Sequence, residues 1–350
     1  MKRIQYISAI VILAVFGFMN ACSDEFLEIT PNGALSEDVL ATADGVDALL
    51  IGAYSMLDGI SDQGTGGWEA TTSGWVFASI RGMEANKGTD SGDQPDINPI
   101  QQYTETSTNP YLNLKWRSLY EAISRCNSTI SVARKAFDAG TITDAQFDSF
   151  TRQARVLRGF YHFEAYRLWA DMSTGTGIPY VDENTVQAEL KNDQDVRGFI
   201  IADLEEGRKL DQNMGQVGRF NKTVGDFLWA KAQMQMNGAA GYAAALPVLT
   251  ALDGGAQNPV GQTAELEANY GDVFDAANRN GVESIYTVQF SVNDGSGGWN
   301  GGWGEVLNFP YKSGASPGGC CGFFNPTQEF VNSFRTSGGL PLLDNSYNTT

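Results

Sequence analysis

Residues 143–169 read TDAQFDSFTRQARVLRGFYHFEAYRLW. Thr143 stands three residues ahead of Gln146, the spacing of a capping box, in which a hydroxyl and an amide satisfy orphan N–H groups at a helix start. Beyond it, Phe147, Phe150, Ala154, Leu157, Tyr161 and Leu168 fall on one helical stripe, and Val156, Phe160, Phe163 and Ala170 on a second. A helix apolar on two faces has neighbours on both sides, as in stacked helical hairpins.

Its neighbours are legible by the same spacing. Val46, Leu49, Leu50, Ala53 and Leu57 mark a helix stopped at Gly59, and Trp116, Leu119, Tyr120, Ile123, Ile130 and Ala133 mark another. Asp193 is placed to cap a helix that turns Val196, Ile200, Leu204 and Leu210 inward. The run from Thr223 to Asp226 caps a helix over 227–236, ended by Gly238, and 242–252 completes a hairpin with it. Helices in pairs joined by short turns suggest tetratricopeptide-like units, although no strict period is visible.

Two stretches have another texture. Residues 59–110 hold eight of the glycines, with Trp68, Trp75 and Phe77 among them; a loop this long is usually functional. After Gly254, alternation of Tyr286, Val288, Phe290 and Val292 with polar residues predicts a half-buried strand. Residues 295–304 then read GSGGWNGGWG, and 323–350 end in a polar loop with no closing element, so a further C-terminal part is expected.

With 350 residues, 42% hydrophobic, the chain has enough apolar material for a packed core. Its net charge of -18 repels a phosphate backbone and an anionic membrane surface, which argues against a nucleic-acid partner. The one histidine, His162, lies inside the aromatic helix and reads as a satisfied core residue, so no catalytic residue and no histidine-based metal site is assigned. Four cysteines, Cys22, Cys126, Cys320 and Cys321, do not make a disulfide framework; the adjacent pair reads as two thiols in a glycine loop or as a vicinal disulfide. There is no EF-hand-like run and no cofactor motif.

The N-terminus reads MKRIQYISAIVILAVFGFMNAC over residues 1–22. Two basic residues precede an apolar run too short to span a bilayer, the pattern of a secretory signal. Its small residues ahead of Cys22 resemble a bacterial lipobox, which implies cleavage before Cys22 and lipidation of its sulfur. The mature chain is then expected to work outside the cytoplasm, tethered by lipid.

Several segments in order are similar to the SusD/RagB family of surface-exposed nutrient-binding lipoproteins. They are the leader CSDEFLE from Cys22 with Pro31, the loop ANKGTD from Ala85 followed by Gly92-Asp93-Gln94-Pro95, and the helix holding Arg125-Cys126-Asn127. The most specific is QARVLRGFYHF from Gln153 with Tyr166-Arg167-Leu168-Trp169, followed by Ile178-Pro179-Tyr180. Gly218-Arg219-Phe220, Tyr270 with Phe274, and Glu283-Ser284-Ile285-Tyr286 continue the series. The resemblance implies a mostly α, SusD-like fold of tetratricopeptide-like hairpins with long irregular loops and a few short strands. It divides the chain into a lipoprotein signal peptide over 1–21 and a SusD-like domain over 22–350. That domain has a helical scaffold at about 36–252 and a ligand-binding part at about 59–110 and 254–350. It also implies a binding protein at the outer face of the outer membrane, which captures oligosaccharide for a SusC-like TonB-dependent transporter. Gly159 sits where the family often has alanine, at a local helix cost of about 1 kcal/mol.

Sugars offer flat apolar faces and many hydroxyls, which rings and polar side chains recognise together. Trp68, Trp75, Trp299 and Trp303 lie in Gly-rich stretches without an obvious core to enter; Asn300 sits between two of them, and Arg81, Glu84, Asn86 and Asp90 supply polar groups. The competing reading is that these rings pin the loops to the body. Trp116, Trp169 and Trp229 lie on helices and are expected in the core. Two rival functions compete with this: a glycosidase with paired carboxylates, against which the acids concentrate on helix surfaces and starts, and a purely structural tetratricopeptide adaptor, against which the Trp-bearing loops stand.

Overall fold

A computed structural model describes residues 36–59, 74–290, 322–342 and 344–349. The chain separates into two compact units, Met1–Leu40 and Ala41–Thr350. Within the first, Glu37–Leu40 forms one helical turn.

The second unit is built on helices whose ends follow capping chemistry. Helix α1 (Ala43–Ser55) starts where the Thr42 hydroxyl accepts the Gly45 N–H, and it stops at Gly59 through a 3-10 turn (Met56–Asp58). After a short α2 (Ile97–Gln102), α3 (Pro110–Asp138) begins with Asn109 as cap and Pro110 in the first turn, where a missing N–H costs nothing. Helix α4 (Asp144–Trp169) carries the capping box: Thr143 Oγ1 accepts the Gln146 N–H at 3.3 Å, and the Thr143 N–H donates to Gln146 Oε1 at 2.9 Å.

The next two caps differ from the sequence expectation. Helix α5 (Arg197–Gly207) is entered through Asp195, which takes the Arg197 N–H, rather than Asp193. Helix α6 (Lys222–Met236) is capped by Asn221, whose Oδ1 accepts from Val224 N at 3.0 Å. Thr223 lies inside that helix, its hydroxyl bonded instead to Gln212 and the Gln257 N–H. Asn221 ranks above Thr as a cap and its amide also reaches the carbonyls of Gln212 and Gln257, so tertiary contacts select it. Helix α7 (Gly238–Leu252) follows after a one-residue break at Asn237, and its first residue, Gly238, has a φ of 51°.

Consecutive helices pack on one another from α3 to α7, with α1 laid across α3 and α4. Ala154, Val156, Leu157, Tyr161 and Phe163 of α4 are all buried, so both of its stripes face neighbours. Tyr54 stitches distant parts: its hydroxyl donates to Gln153 and accepts the Phe220 N–H. Between α5 and α6 the approach is so close that a Cβ on Gly225 would stand 2.2 Å from the Gly207 carbonyl carbon, so the crossing requires glycine there.

The most polar part of the core holds the segment 178–181 onto α3, α4 and α5. Arg158 is 3% exposed and Asp203 fully buried; the guanidinium binds the carboxylate with two bonds, Nε to Oδ2 at 2.7 Å and Nη2 to Oδ1 at 2.8 Å. Arg155 and the Tyr180 hydroxyl also donate to Asp203, while Arg158 Nη1 reaches Asn127 and Glu183. Burial alone would raise the Asp203 carboxyl, but the bonds from Arg158 and Tyr180 hold it below its ordinary value.

His162 stacks on Tyr180 and is completely buried, as the sequence suggested; its Nε2 accepts the Val181 N–H at 3.0 Å and its Nδ1 lies 3.0 Å from the Arg158 carbonyl. A ring that accepts at Nε2 is neutral with the proton on Nδ1. Burial lowers its pKa from 6.5 to about 4. The unfolded chain therefore binds the proton first as pH falls, and stability declines between pH 6.5 and 4 by about 3 kcal/mol. Urea midpoints measured across that window are expected to drop, and His162→Gln to flatten the slope; equal slopes would remove His162 as the cause.

Of the strand expected over 286–292, residues 286–290 are described and form no ladder. The alternation is real in burial, since Tyr286 and Val288 pack on the helical core and Tyr286 meets Phe220 edge-on at 4.7 Å, but no neighbouring strand pairs with it among the described residues. Strands occur elsewhere: β1 (Ala85–Lys87) pairs antiparallel with β2 (Phe324–Pro326), and β3 (Thr336–Ser337) with β4 (Leu340–Pro341), the latter two after a short helix α8 (Gln328–Asn332).

Candidate ligand-binding surface

The region 74–109, expected as one long loop, is a small lobe with a core of its own. A π-helical turn (Val76–Ile80), β1 and α2 enclose Trp75, Val76, Ile80, Ala85, Ile97, Ile100 and Tyr111, and Phe323 enters from the far end of the chain. Trp75 meets Phe323 edge-on at 6.3 Å and is 2% exposed. Its ring therefore pins the lobe; it does not present a free face, contrary to the expectation that no core was near. The seam with β2 depends on Gly88, whose N–H donates to the Phe323 carbonyl at 2.7 Å. A Cβ at that position would lie 1.6 Å from the Gly322 oxygen.

On this base stand the polar residues singled out from sequence. Arg81 pairs with Glu105 and lies 4.9 Å from the centre of the Tyr103 ring, whose hydroxyl donates to the Arg81 carbonyl. Asn86 is exposed on β1 and accepts from Gln101 Nε2 at 2.9 Å, while Gln101 Oε1 accepts the Lys87 N–H. Asp90 closes its own loop by accepting the N–H groups of Gly92 and Asp93. Lys87 reaches the Asp90 carbonyl and lies over Phe323; burial lowers its pKa, against the pull of Asp93 and Asp90. Arg81, Asn86 and Asp90 thus share one lobe, with Asn86 and Asp90 joined through Lys87 and its neighbours. Trp68, Trp299, Asn300 and Trp303 lie outside the described residues, as do Cys22, Cys320 and Cys321.

Sequence reading missed Tyr103, Gln101, Glu105 and Met83. Tyr103 is 56% exposed and Met83 57%, so a ring and a thioether stand open beside Arg81. Four non-glycine residues here, Met83, Thr89, Gln94 and Tyr103, have left-handed backbone. Each costs roughly 1–2 kcal/mol, and such strain concentrates at functional sites. No propensity marks a tyrosine or a methionine for that conformation.

Elsewhere the chemistry is quiet. Cys126 is a buried thiol, pushed up by burial and so inert. Among the described residues no group of three or more His, Cys, Asp or Glu is placed to hold a metal ion, and no helix is long and apolar enough to cross a membrane.

The mostly helical fold matches solved structures of SusD superfamily proteins. A surface glycan-binding protein A from Bacteroides fluxus superposes with a TM-score of 0.66 at 18% identity, over 84% of this chain and 62% of that one. A SusD superfamily protein from Bacteroides thetaiotaomicron gives 0.63 at 19% identity, over 83% and 61%. A laminarin-binding SusD-like protein gives 0.54 at 19% identity, over 70% and 50%. No family model matches the chain. By sequence it is similar to a SusD-like protein from Formosa agariphila, 24% identical over 211 residues, which are 60% of this chain and 38% of the relative. A SusD-like protein from Bacteroides ovatus is 22% identical over 285 residues, 77% of this chain and 47% of the relative. The chain thus spans about half the length of the curated relatives it matches or less. The fold is shared with these SusD superfamily structures, and by sequence the chain is similar to two SusD-like proteins.

Proposed function

We propose that this chain is a lipid-anchored glycan-capture protein that hands oligosaccharide unaltered to a SusC-like TonB-dependent transporter in the outer membrane. The observation that carries the reading is the lobe itself: a SusD-like scaffold holds exposed Tyr103, Met83 and Asn86 beside half-buried Arg81 on a strained frame joined to β2. An open aromatic beside charged and amide groups suits a sugar's apolar face and hydroxyls. Residues 1–21 act as the signal peptide, Cys22 as the acylated anchor, the helices over 36–252 as the scaffold facing the transporter, and 59–110 with 254–350 as the ligand side. Trp68, Trp299, Asn300 and Trp303 join the lobe's polar groups as ligand contacts.

Relatives support this reading by what they bind: glycans for the Bacteroides fluxus protein, laminarin for another. Affinity electrophoresis and calorimetry with a glycan panel are expected to show binding with no new reducing ends; steady release of reducing ends would favour a hydrolase. Replacing Trp299 and Trp303 together by alanine is expected to weaken capture tenfold or more without moving the melting temperature, since each ring stacked on a sugar contributes on the order of 1 kcal/mol. Unchanged affinity would remove both rings from the site.

A further inference from the structure

A cavity of about 330 Å³ opens between the start of α3, the end of α4 and the middle of α6, against the π-helical turn. None of the lobe's polar residues Arg81, Asn86 and Asp90 lines it. Its walls combine Phe77, Phe160 and Leu168 with Lys115, Arg167, Lys231 and the carboxylate of Glu164.

Three cations against one carboxylate is an unusual balance on a chain with 41 acids and 23 Lys and Arg. Glu164 is already engaged by Arg167 Nη1 at 2.7 Å. Lys115 and Lys231 have neither hydrogen bond nor ion pair among the described residues, although Lys115 is half-buried. Burial pushes the Lys115 amine down, and attraction to Glu164 only partly offsets it. An amine held in such a place gains most from an added anion, because the cost of removing its water is already met by the fold.

We propose that this cavity is a subsite for an anionic group on a bound sugar, a carboxylate or a sulfate, with Lys115 and Lys231 as its ligands and Phe77 and Phe160 as apolar walls for the ring. The volume admits a ligand of monosaccharide size. The overall negative charge repels anions at a distance, but beyond about 8 Å that field is screened at physiological salt, so the local cations decide binding. This inference rests on the reading of the chain as a glycan-binding protein and narrows its substrate class.

The test is calorimetry on the full chain with three probes: a galacturonate trisaccharide, its neutral methyl ester, and a sulfated galactose trisaccharide. At least one acid is expected to bind tenfold or more tighter than the ester. Lys231→Met is expected to remove most of that preference and Lys231→Arg to retain it, with melting curves unchanged; Lys115→Met adds to the loss if it folds. Because Lys231 is exposed, its variants keep the test decisive even where Lys115→Met does not fold. Acids that bind no better than the ester, or a preference that survives Lys231→Met, would overturn the subsite. Binding of neutral glycans without any acid preference would overturn it while leaving the glycan-capture reading intact, and no binding of any sugar would end both.

Discussion

Replacing Arg158 by leucine is expected to cost roughly 3–5 kcal/mol of stability. The guanidinium supplies two of the four bonds to the fully buried Asp203 carboxylate. Removing it leaves a buried charge with Arg155 and the Tyr180 hydroxyl alone, and strips Asn127 and Glu183 of their partner. The segment 178–181 would lose its grip on α4 and α5 together. Replacing Asp203 by leucine as well is expected to lose less than the sum of the two single changes, because neither variant partner then remains as an unpaired buried charge. Urea denaturation of the two single variants and the double gives the coupling directly. A loss under about 1 kcal/mol for Arg158→Leu would show that the network orders the segment without stabilising it.

Gly88→Val is expected to separate the lobe from β2 and reduce glycan affinity tenfold or more, with the helical melt almost unmoved. The side chain would have to occupy the space of the Gly322 carbonyl and the Asn325 amide, which lie 1.6 Å and 2.4 Å from the Cβ position. No rotamer relieves a clash at Cβ itself, so the Gly88 N–H to Phe323 bond and the β1–β2 register break. With Phe323 withdrawn, Trp75 loses its edge-on partner and the lobe its apolar floor. The helices form a separate cluster and keep their packing. Affinity and far-ultraviolet melting, measured on the same sample, distinguish the outcomes: wild-type affinity would mean that the lobe's frame does not govern the ligand.

The scaffold was legible because it is governed by local rules. The capping box at Thr143 and two apolar stripes on α4 required only the sequence, and the structure places both stripes against neighbours. Caps failed where a better donor network existed nearby, as Asn221 displaced the Thr223 start by tying together Gln212 and Gln257, more than thirty residues on. The alternation at Tyr286 and Val288 reported burial correctly and pairing incorrectly, since burial needs only a core and a strand needs a partner. The lobe was the least legible part. Its core closes through Phe323, far along the chain, so Trp75 looked unsheltered in sequence, and Tyr103 takes a left-handed backbone that nothing local signals. The polar residues at 81, 86 and 90 were readable as a set, while the glutamine that knits β1 to α2, Gln101, was not.

Hydrogen exchange of the full chain, with and without a saturating oligosaccharide drawn from the binding panel, tests the central claim most directly. For a neutral oligosaccharide the account predicts slowed exchange confined to residues 81–105 and 322–327, unchanged exchange in α3 to α6, and sugar recovered intact. Protection along the helical faces with none in the lobe, or a sugar recovered shortened, would contradict it.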